Sequence, residues 1–431
     1  MDIPRVIIVG CGFGGINAAK TLKNTQAQIL LIDKANHHVF QPLLYQVATA
    51  TLAPSNIAVP IRNVLEKQKN TTVFLADIVK VDKEHKKVIA GNGDEYVYDF
   101  LILAPGTMHS YFNHPEWENY APGLKNLNDA ITIRERILLS YERAERCSDP
   151  KEVEKFTCFV IVGAGPTGVE MAGAIGEIAH QTLTENFRRI NTRNSKIYLI
   201  EGAKQVLPAF PKDLADKAQM YLEELGVEVL LETFVTDITS EGVWLGDKFI
   251  ETPNIIWAAG NEGSPLLKSL DVPLDKSKRV IVNRDLTIPG YPEIFVIGDA
   301  GCLIDDKGNS LPGLAPVAIQ QGKYVAKIIH HQVPADKRKP FVYYDKGMMA
   351  AIGQTKAIAI TGKLKLSGFL AWLAWSTIHI CYLISYSNRL FVMIQWIYLY
   401  IFHERQIQLI TGLISEKMEP INRQNKEICD P

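Results

Sequence analysis

A chain of 431 residues exceeds what one hydrophobic core usually supports, so two or three domains are expected. Its 46 Lys+Arg against 47 Asp+Glu leave a net charge of -1, which removes the general field that would recruit nucleic acid or a strongly charged partner. The six cysteines are scattered, with no C-x-x-C and no Cys/His spacing that could build a metal site, so a zinc centre, an iron–sulfur cluster and a disulfide framework are excluded and a reducing compartment fits.

The N-terminus runs from MDIPR straight into a strand-like VIIVG, which leaves no room for the basic and apolar regions of a cleaved signal peptide. The β-branched run is followed by Gly10-x-Gly12-x-x-Gly15 and a helical pattern with Ala18, Ala19 and Leu22 on one side. Glycines at this spacing make a tight turn, let the backbone approach a pyrophosphate, and let helix pack on strand, with the helix N-terminus facing the phosphates. The next strand, AQILLID, ends at Asp33, where a carboxylate can hydrogen-bond the ribose hydroxyls of an adenosine.

Further along, ADIVKVDKEHKKVIAGNGDEYVYDF predicts a three-strand meander with a turn at Gly91-Asn92-Gly93, and LNDAITIRERILLSYERAER predicts a charged amphipathic helix over 127–146. The nucleotide pattern then recurs. Gly163-x-Gly165-x-x-Gly168 follows a strand, and KIYLIEG places Glu201 at the end of the next one. Two fingerprints imply two dinucleotides, and Glu201 favours NADH over NADPH because its carboxylate would repel a 2′-phosphate. Buried-looking strands at 98–107 and 254–263 end in the glycine turns Gly106 and Gly260, where a chain can leave one nucleotide domain for another. A strand over 291–300 delivers Asp299 into a loop, where its carboxylate can bind the ribitol of FAD or simply cap the following turn.

The apolar run at 366–388 has no charge between Lys365 and Arg389, and as a 23-residue helix it would reach about 34 Å, enough to cross a hydrocarbon core of about 30 Å. Its weakly polar residues point all round, leaving no solvated face. The second run, 390–402, is 13 residues long and better suited to lying at an interface, while Trp372, Trp375, Tyr382, Tyr386, Trp396, Tyr398 and Tyr400 supply rings that settle at headgroup level. Lys356, Lys363 and Lys365 could meet anionic lipid. The tail reads as a membrane anchor, with insertion into one leaflet ahead of a true span; an oligomerisation surface, and with it a homodimer, is the other reading.

The order of these motifs resembles the flavoprotein reductases with two dinucleotide-binding domains. Within them HHVFQPLLYQVATATLAPSNIAVPIR (37–62), GPTGVEMAGAIGE (165–177) and LAPVAIQQG (314–322) resemble the type II NADH dehydrogenases, non-pumping NADH:quinone oxidoreductases. The resemblance implies an α/β fold of two Rossmann-like domains: an FAD domain formed by 1–110 and 283–333, an NADH domain over 111–282 inserted within it, and a C-terminal apolar helical membrane-anchor region over 334–431. It implies FAD and NADH as cofactors, a membrane quinone (ubiquinone or menaquinone) and the bilayer surface as partners, and a place on the cytoplasmic face of the cell membrane.

By the same resemblance the FAD set is Gly10, Gly12, Phe13, Gly14, Gly15, Asp33, Lys34, Gln46, Val79, Ala104, Gly106, Asp299, Val317 and Ala318; the NADH set is Gly163, Gly165, Pro166, Thr167, Gly168, Glu201 and Gly260. The catalytic candidates are Glu170, Gln320 and Gln321. Glu170, in the first turns of the second nucleotide helix, is implied to lie near nicotinamide and quinone, although a carboxylate there also suits the helix dipole. Gln320 and Gln321 begin a helix aimed at the flavin, and two solvated glutamines is the plainer reading. Gln46 is equally a satisfied core amide, and Tyr45, Phe40, His37 and His38 read as packing or loop residues. The family's Ala-Gln-x-Ala-x-Gln pattern is matched at Ala315, Ala318 and Gln320, but Pro316 stands where the first glutamine is usual. Rivals on the same scaffold are a sulfide:quinone or ferredoxin-type reductase, which would need a cysteine pair in the first case and no apolar tail in the second. A low-turnover FAD/NADH-binding redox sensor is the alternative from outside catalysis.

Overall fold

The computed structural model describes residues 3–305, 308–402, 405 and 407–411. Its first sheet has six strands in the order Thr287–Ile288, Tyr291–Val296, Phe100–Leu103, Arg5–Val9, Gln28–Asp33 and Thr71–Leu75. All neighbours are parallel except the first pair. Arg5–Val9 and its neighbouring strands carry apolar side chains on both faces, as a parallel sheet sandwiched by helices requires. The meander follows its expected course, as strands Ile78–Asp82, Lys87–Ala90 and Glu95–Val97.

A second, all-parallel sheet runs Val227–Leu230, Lys196–Ile200, Cys158–Val162 and Asn254–Trp257, and its strand Cys158–Val162 is buried at every position. The chain passes between the two sheets along one ribbon, where Thr107–His109 pairs antiparallel with Asn261–Gly263. The amphipathic helix spans Leu127–Arg146 as predicted. Asn126 starts it by accepting from Asp129 N (3.0 Å), and the Asp129 carboxylate accepts in return from Asn126 N (3.0 Å), a closed capping box.

The tail departs from the expectation of a single long helix. Residues 348–368 form a three-stranded antiparallel sheet, Met348–Ile352, Lys356–Thr361 and Leu364–Gly368, so the first three residues of the apolar run belong to a strand. Gly368 at φ +73° turns the chain into a helix, Phe369–Tyr382, and after a break the helix Tyr386–Phe402 follows. At 14 and 17 residues these helices reach about 21 and 26 Å, short of a hydrocarbon core of about 30 Å. Among the described residues no helix is long and apolar enough to cross a membrane, which corrects the option of a span. The anchor region is also only partly helical, and its residues 412–431 lie outside the described residues. Two of the three lysines expected to face lipid are used within the protein, Lys356 against Glu224 and Lys365 against Asp213.

The tail is no appendage. One apolar cluster runs without a break from the second nucleotide helix, Pro166–Glu177, through strands Met348–Ile352 and Lys356–Thr361 to Trp375 and Trp396 of the tail helices. At its edge Arg405, almost wholly buried, donates to Glu177 Oε2 (2.9 Å) and to the Thr49 carbonyl (2.6 Å), while Glu177 Oε1 accepts from Gln354 N (2.5 Å). Removing one partner leaves the other charge buried and alone, so Arg405→Met should destabilise the protein by about 3–5 kcal/mol. Glu177→Leu in the same chain should restore most of that loss. Thermal unfolding of the single and double variants checks this, and equal losses in both would show that the stranded carboxylate is not the source of the loss.

Candidate active site

Both phosphate loops are built the same way. Gly10 adopts φ +96°, and a Cβ there would sit 2.2 Å from the Ala104 carbonyl oxygen; one on Gly15 would sit 1.9 Å from the Gly10 carbonyl oxygen. Only glycine fits. Around Gly12 the space is open, and helix Phe13–Thr21 starts there with no side-chain cap, so its first N–H groups are free for an anion. In the second loop Gly163 has φ +99°, Gly168 packs on the Gly163 carbonyl, Gly165 faces open space, and Pro166 and Thr167 are exposed in the first helical turn.

The two acids have a task that the sequence did not disclose. Asp33 accepts from Cys11 N (2.5 Å) and Ala35 N (2.7 Å); Glu201 accepts from Ala164 N (2.7 Å) and Ala203 N (2.9 Å). Each ties its glycine loop to the end of the second strand. A carboxylate has about four acceptor positions, so this bracing leaves room for ribose hydroxyls. Lys34 beside the first acid is exposed, and Val79 lies half exposed at a bulge of the meander.

Asp299 stands in a tight turn after Tyr291–Val296, next to the loop that follows the neighbouring strand Phe100–Leu103 and carries Ala104 and Gly106. Burial pushes its carboxyl up, with the Lys125 ammonium pulling the other way. Among the described residues no side chain or backbone group hydrogen-bonds it, which suits a carboxylate kept for the hydroxyls of a bound polyol.

The helix Ala315–His330 closes on the first loop. A Cβ on its Gly322 would meet the Gly14 carbonyl oxygen at 2.3 Å, and its Ala318 lies over Gly14 and Gly298, with Val317 buried beside it. Pro316 occupies the first turn, where the missing N–H has no partner to lose. The two glutamines are both committed to backbone. Gln321 Oε1 accepts from Gly298 N (2.6 Å) and so sets the turn that carries Asp299. Gln320 clasps Tyr344 from both sides, donating to its carbonyl (2.9 Å) and accepting from its N–H (3.0 Å).

Glu170 faces Tyr45 and the start of the three-stranded sheet, where Ala351 N approaches it at 3.5 Å. Burial pushes its carboxyl up to about 8, and among the described residues no cation pairs with it. Glu177, seven residues on, shares that helix face, and the buried Tyr45 phenol feels both carboxyls. Gln46 donates to the Tyr45 hydroxyl (3.1 Å) and accepts from Trp396 Nε1 (2.7 Å), so its amide joins the site to the tail. Edge-on rings continue the link: Phe13 to Phe40 (5.7 Å), Phe40 to His379 (6.0 Å), and His379 stacked on Trp375 (4.1 Å). Tyr45, Phe40, Trp396 and Arg405 had no signal as a group in the sequence, since they lie far apart in the chain.

A methyl group on Gly168 would sit 1.8 Å from the Gly163 carbonyl oxygen. Gly168→Ala is therefore expected to weaken nucleotide binding at the second loop by about tenfold or more while the first loop keeps its ligand, read by equilibrium titration with NADH.

The family model described as pyridine nucleotide-disulphide oxidoreductase matches residues 4–322, both phosphate loops included. The type II NADH:quinone oxidoreductase Ndh of Mycobacterium tuberculosis is 42% identical over 408 residues, 91% of this chain and 87% of its own. The type II NADH:quinone oxidoreductase of Staphylococcus aureus is 29% identical over 377 residues, 85% of this chain and 92% of its own. NDH2 of Plasmodium falciparum, solved with NADH, has the same fold, with a TM-score of 0.83 at 22% identity over 93% of this chain and 99% of its own. With a family model over both nucleotide loops and a relative 42% identical over 91% of the chain, the chain belongs to the pyridine nucleotide-disulphide oxidoreductases and, within them, to the type II NADH:quinone oxidoreductases.

Proposed function

We propose that this protein takes a hydride from NADH at the second phosphate loop, passes two electrons through FAD held by the first, and delivers them to a quinone dissolved in the bilayer, with no proton pumping. The observation that carries the reading is the position of Glu170. Its half-buried carboxyl lies on the nucleotide helix of the second loop and faces Tyr45 and the tail sheet, where Ala351 N approaches it.

The division of labour follows the sheets. Residues 1–110 and 283–333 form the FAD domain, 111–282 the NADH domain, and 334–431 the membrane-facing region, in keeping with the strands each sheet draws on. The residues present fit FAD: an open glycine loop at a helix N-terminus for the pyrophosphate, Asp33 for the ribose, and the unsatisfied Asp299 carboxyl for the ribitol. The bound flavin supplies the two-electron relay between hydride donor and quinone.

The chain's own groups set where each reactant lies. Glu201 favours a free 2′-hydroxyl and hence NADH. Glu170, neutral below about pH 8, is a proton donor at the quinone side, where reduction to quinol takes up protons. Gln321 holds the Asp299 turn, and Gln320 fixes the 344 segment beside it; both act by positioning. The tail helices expose Phe369, Leu370, Leu373, Phe391, Ile394 and Ile397, an apolar face for one leaflet of the cytoplasmic membrane surface. Sulfide chemistry on this scaffold would need paired cysteines, and the cysteines among the described residues, Cys11, Cys147, Cys158, Cys302 and Cys381, are all free.

The test is anaerobic. NADH should bleach the flavin of the detergent-purified protein, and a quinone analogue should restore its colour within the turnover time; restoration by no quinone would remove the acceptor assignment. Glu170→Gln should leave bleaching by NADH nearly unchanged and slow recolouring by about tenfold or more. In the wild type the recolouring rate should fall as pH rises through about 8, where Glu170 loses its proton, and this inflection should be missing from Glu170→Gln.

A further inference from the structure

One half-buried cation near the cofactor cleft has no task in the reading above. Lys125 lies in the turn before helix Leu127–Arg146, and its backbone is held on both sides: its N–H donates to Asp129 Oδ2 (2.8 Å) and its carbonyl accepts from Gln41 Nε2 (3.2 Å). The side chain, half buried, turns back and donates to Thr107 Oγ1 (3.1 Å), the residue after Gly106. Among the described residues this is its one hydrogen-bond partner, and no carboxylate lies within ion-pair distance. An ammonium has three donors, so two are left over in a place poor in water.

Their surroundings say what they face. Thr107 follows strand Phe100–Leu103, and Asp299, the carboxylate that acts on Lys125, follows the adjacent parallel strand Tyr291–Val296. Both loops leave the carboxyl ends of neighbouring strands, which is where an open α/β sheet binds its ligand. Burial lowers the lysine's pKa despite Asp299, as expected of a cation whose compensating charge is incomplete.

We propose that Lys125 directs its ammonium at the bound flavin and stabilises the negative charge that the ring acquires on reduction. Hydride transfer from NADH brings two electrons and one proton to the ring and releases NAD+, so the ring gains one negative charge until it gives up its electrons to the acceptor. A fixed cation at that cleft favours the charged product over the neutral oxidised ring. This rests on the reading that the first phosphate loop holds FAD.

Sodium sulfite tests the claim without NADH or quinone, because its addition to oxidised flavin also leaves a negative charge on the ring. The wild-type holoprotein and the variants Lys125→Met, Lys125→Gln and Lys125→Arg are titrated with sulfite, and their midpoint potentials are measured by dye equilibration. The sulfite dissociation constant should rise by about tenfold or more in the two neutral variants, and the potential should move to more negative values, while arginine stays within about threefold of wild type. Lys125→Gln keeps a donor for Thr107 and decides the matter if the methionine variant does not retain flavin. Wild-type sulfite affinity in a neutral variant that holds FAD one to one overturns the proposal. So does an arginine variant impaired as far as the methionine one, which would point to a structural role. A wild-type protein that purifies without flavin and takes up none overturns instead the reading on which the proposal rests.

Discussion

The rest of the molecule is organised around one buried ion pair, Glu177 with Arg405. Taking both charges out of water carries a large desolvation penalty, offset in part by further bonds: Thr49 O on the guanidinium and Gln354 N on the carboxylate, while Arg405 Nε has no partner among the described residues. These partners come from four separate stretches: the second nucleotide helix, the segment after helix Leu44–Ala48, the turn of the three-stranded sheet and the chain beyond the tail helices. Such a pair adds less to stability than to uniqueness of arrangement, since any sliding of one element strands a charge. Two turns earlier on the same helix, Glu170 inherits a fixed and apolar setting. Its raised pKa follows from that burial, with no cation among the described residues close enough to reverse it.

A second constraint works at the opposite end of the site. Helices Phe13–Thr21 and Ala315–His330 touch backbone to backbone because Gly322 has no side chain to hold them apart; a Cβ there would meet the Gly14 carbonyl oxygen at 2.3 Å. That contact brings a late segment of the chain onto an early one and sets Asp299 beside the first phosphate loop through Gln321. The acids at the strand ends then brace each loop from below. The chain's own groups thus set the phosphate-binding geometry.

Much of this was legible in the sequence wherever local chemistry forces the residue. The first and third glycines of each fingerprint could be read because no other residue survives φ near +100° or a carbonyl at 2 Å, and the helix 127–146 because its apolar stripe recurs at helical spacing. The tail was misjudged for a physical reason. Hydropathy reports a preference for leaving water and is silent on whether bilayer or protein receives the side chain, so the run 366–388 hid a strand end, the turn at Gly368 and a break before Tyr386. Gln320 and Gln321 could be placed on the right helix, yet which backbone groups they would satisfy depended on segments 20 or more residues away. The partnership of Gln46 with Trp396, and of Glu177 with Arg405, left no trace at all, because nothing near either residue marks a contact that the tertiary fold alone creates.

On the function proposed above, the tail serves as a wall of the redox site and as its door to the bilayer at once. The most direct measurement compares two acceptors, a long-chain quinone confined to liposomes and a short-chain quinone in water, in wild type and in a variant whose outward tail residues Leu370, Leu373, Ile394 and Ile397 are replaced by serine. The account predicts that the variant loses reduction of the liposome-bound quinone by about tenfold or more, yet keeps flavin bleaching by NADH and reduction of the soluble quinone. A variant that reduces the liposome-bound quinone at the wild-type rate would contradict it.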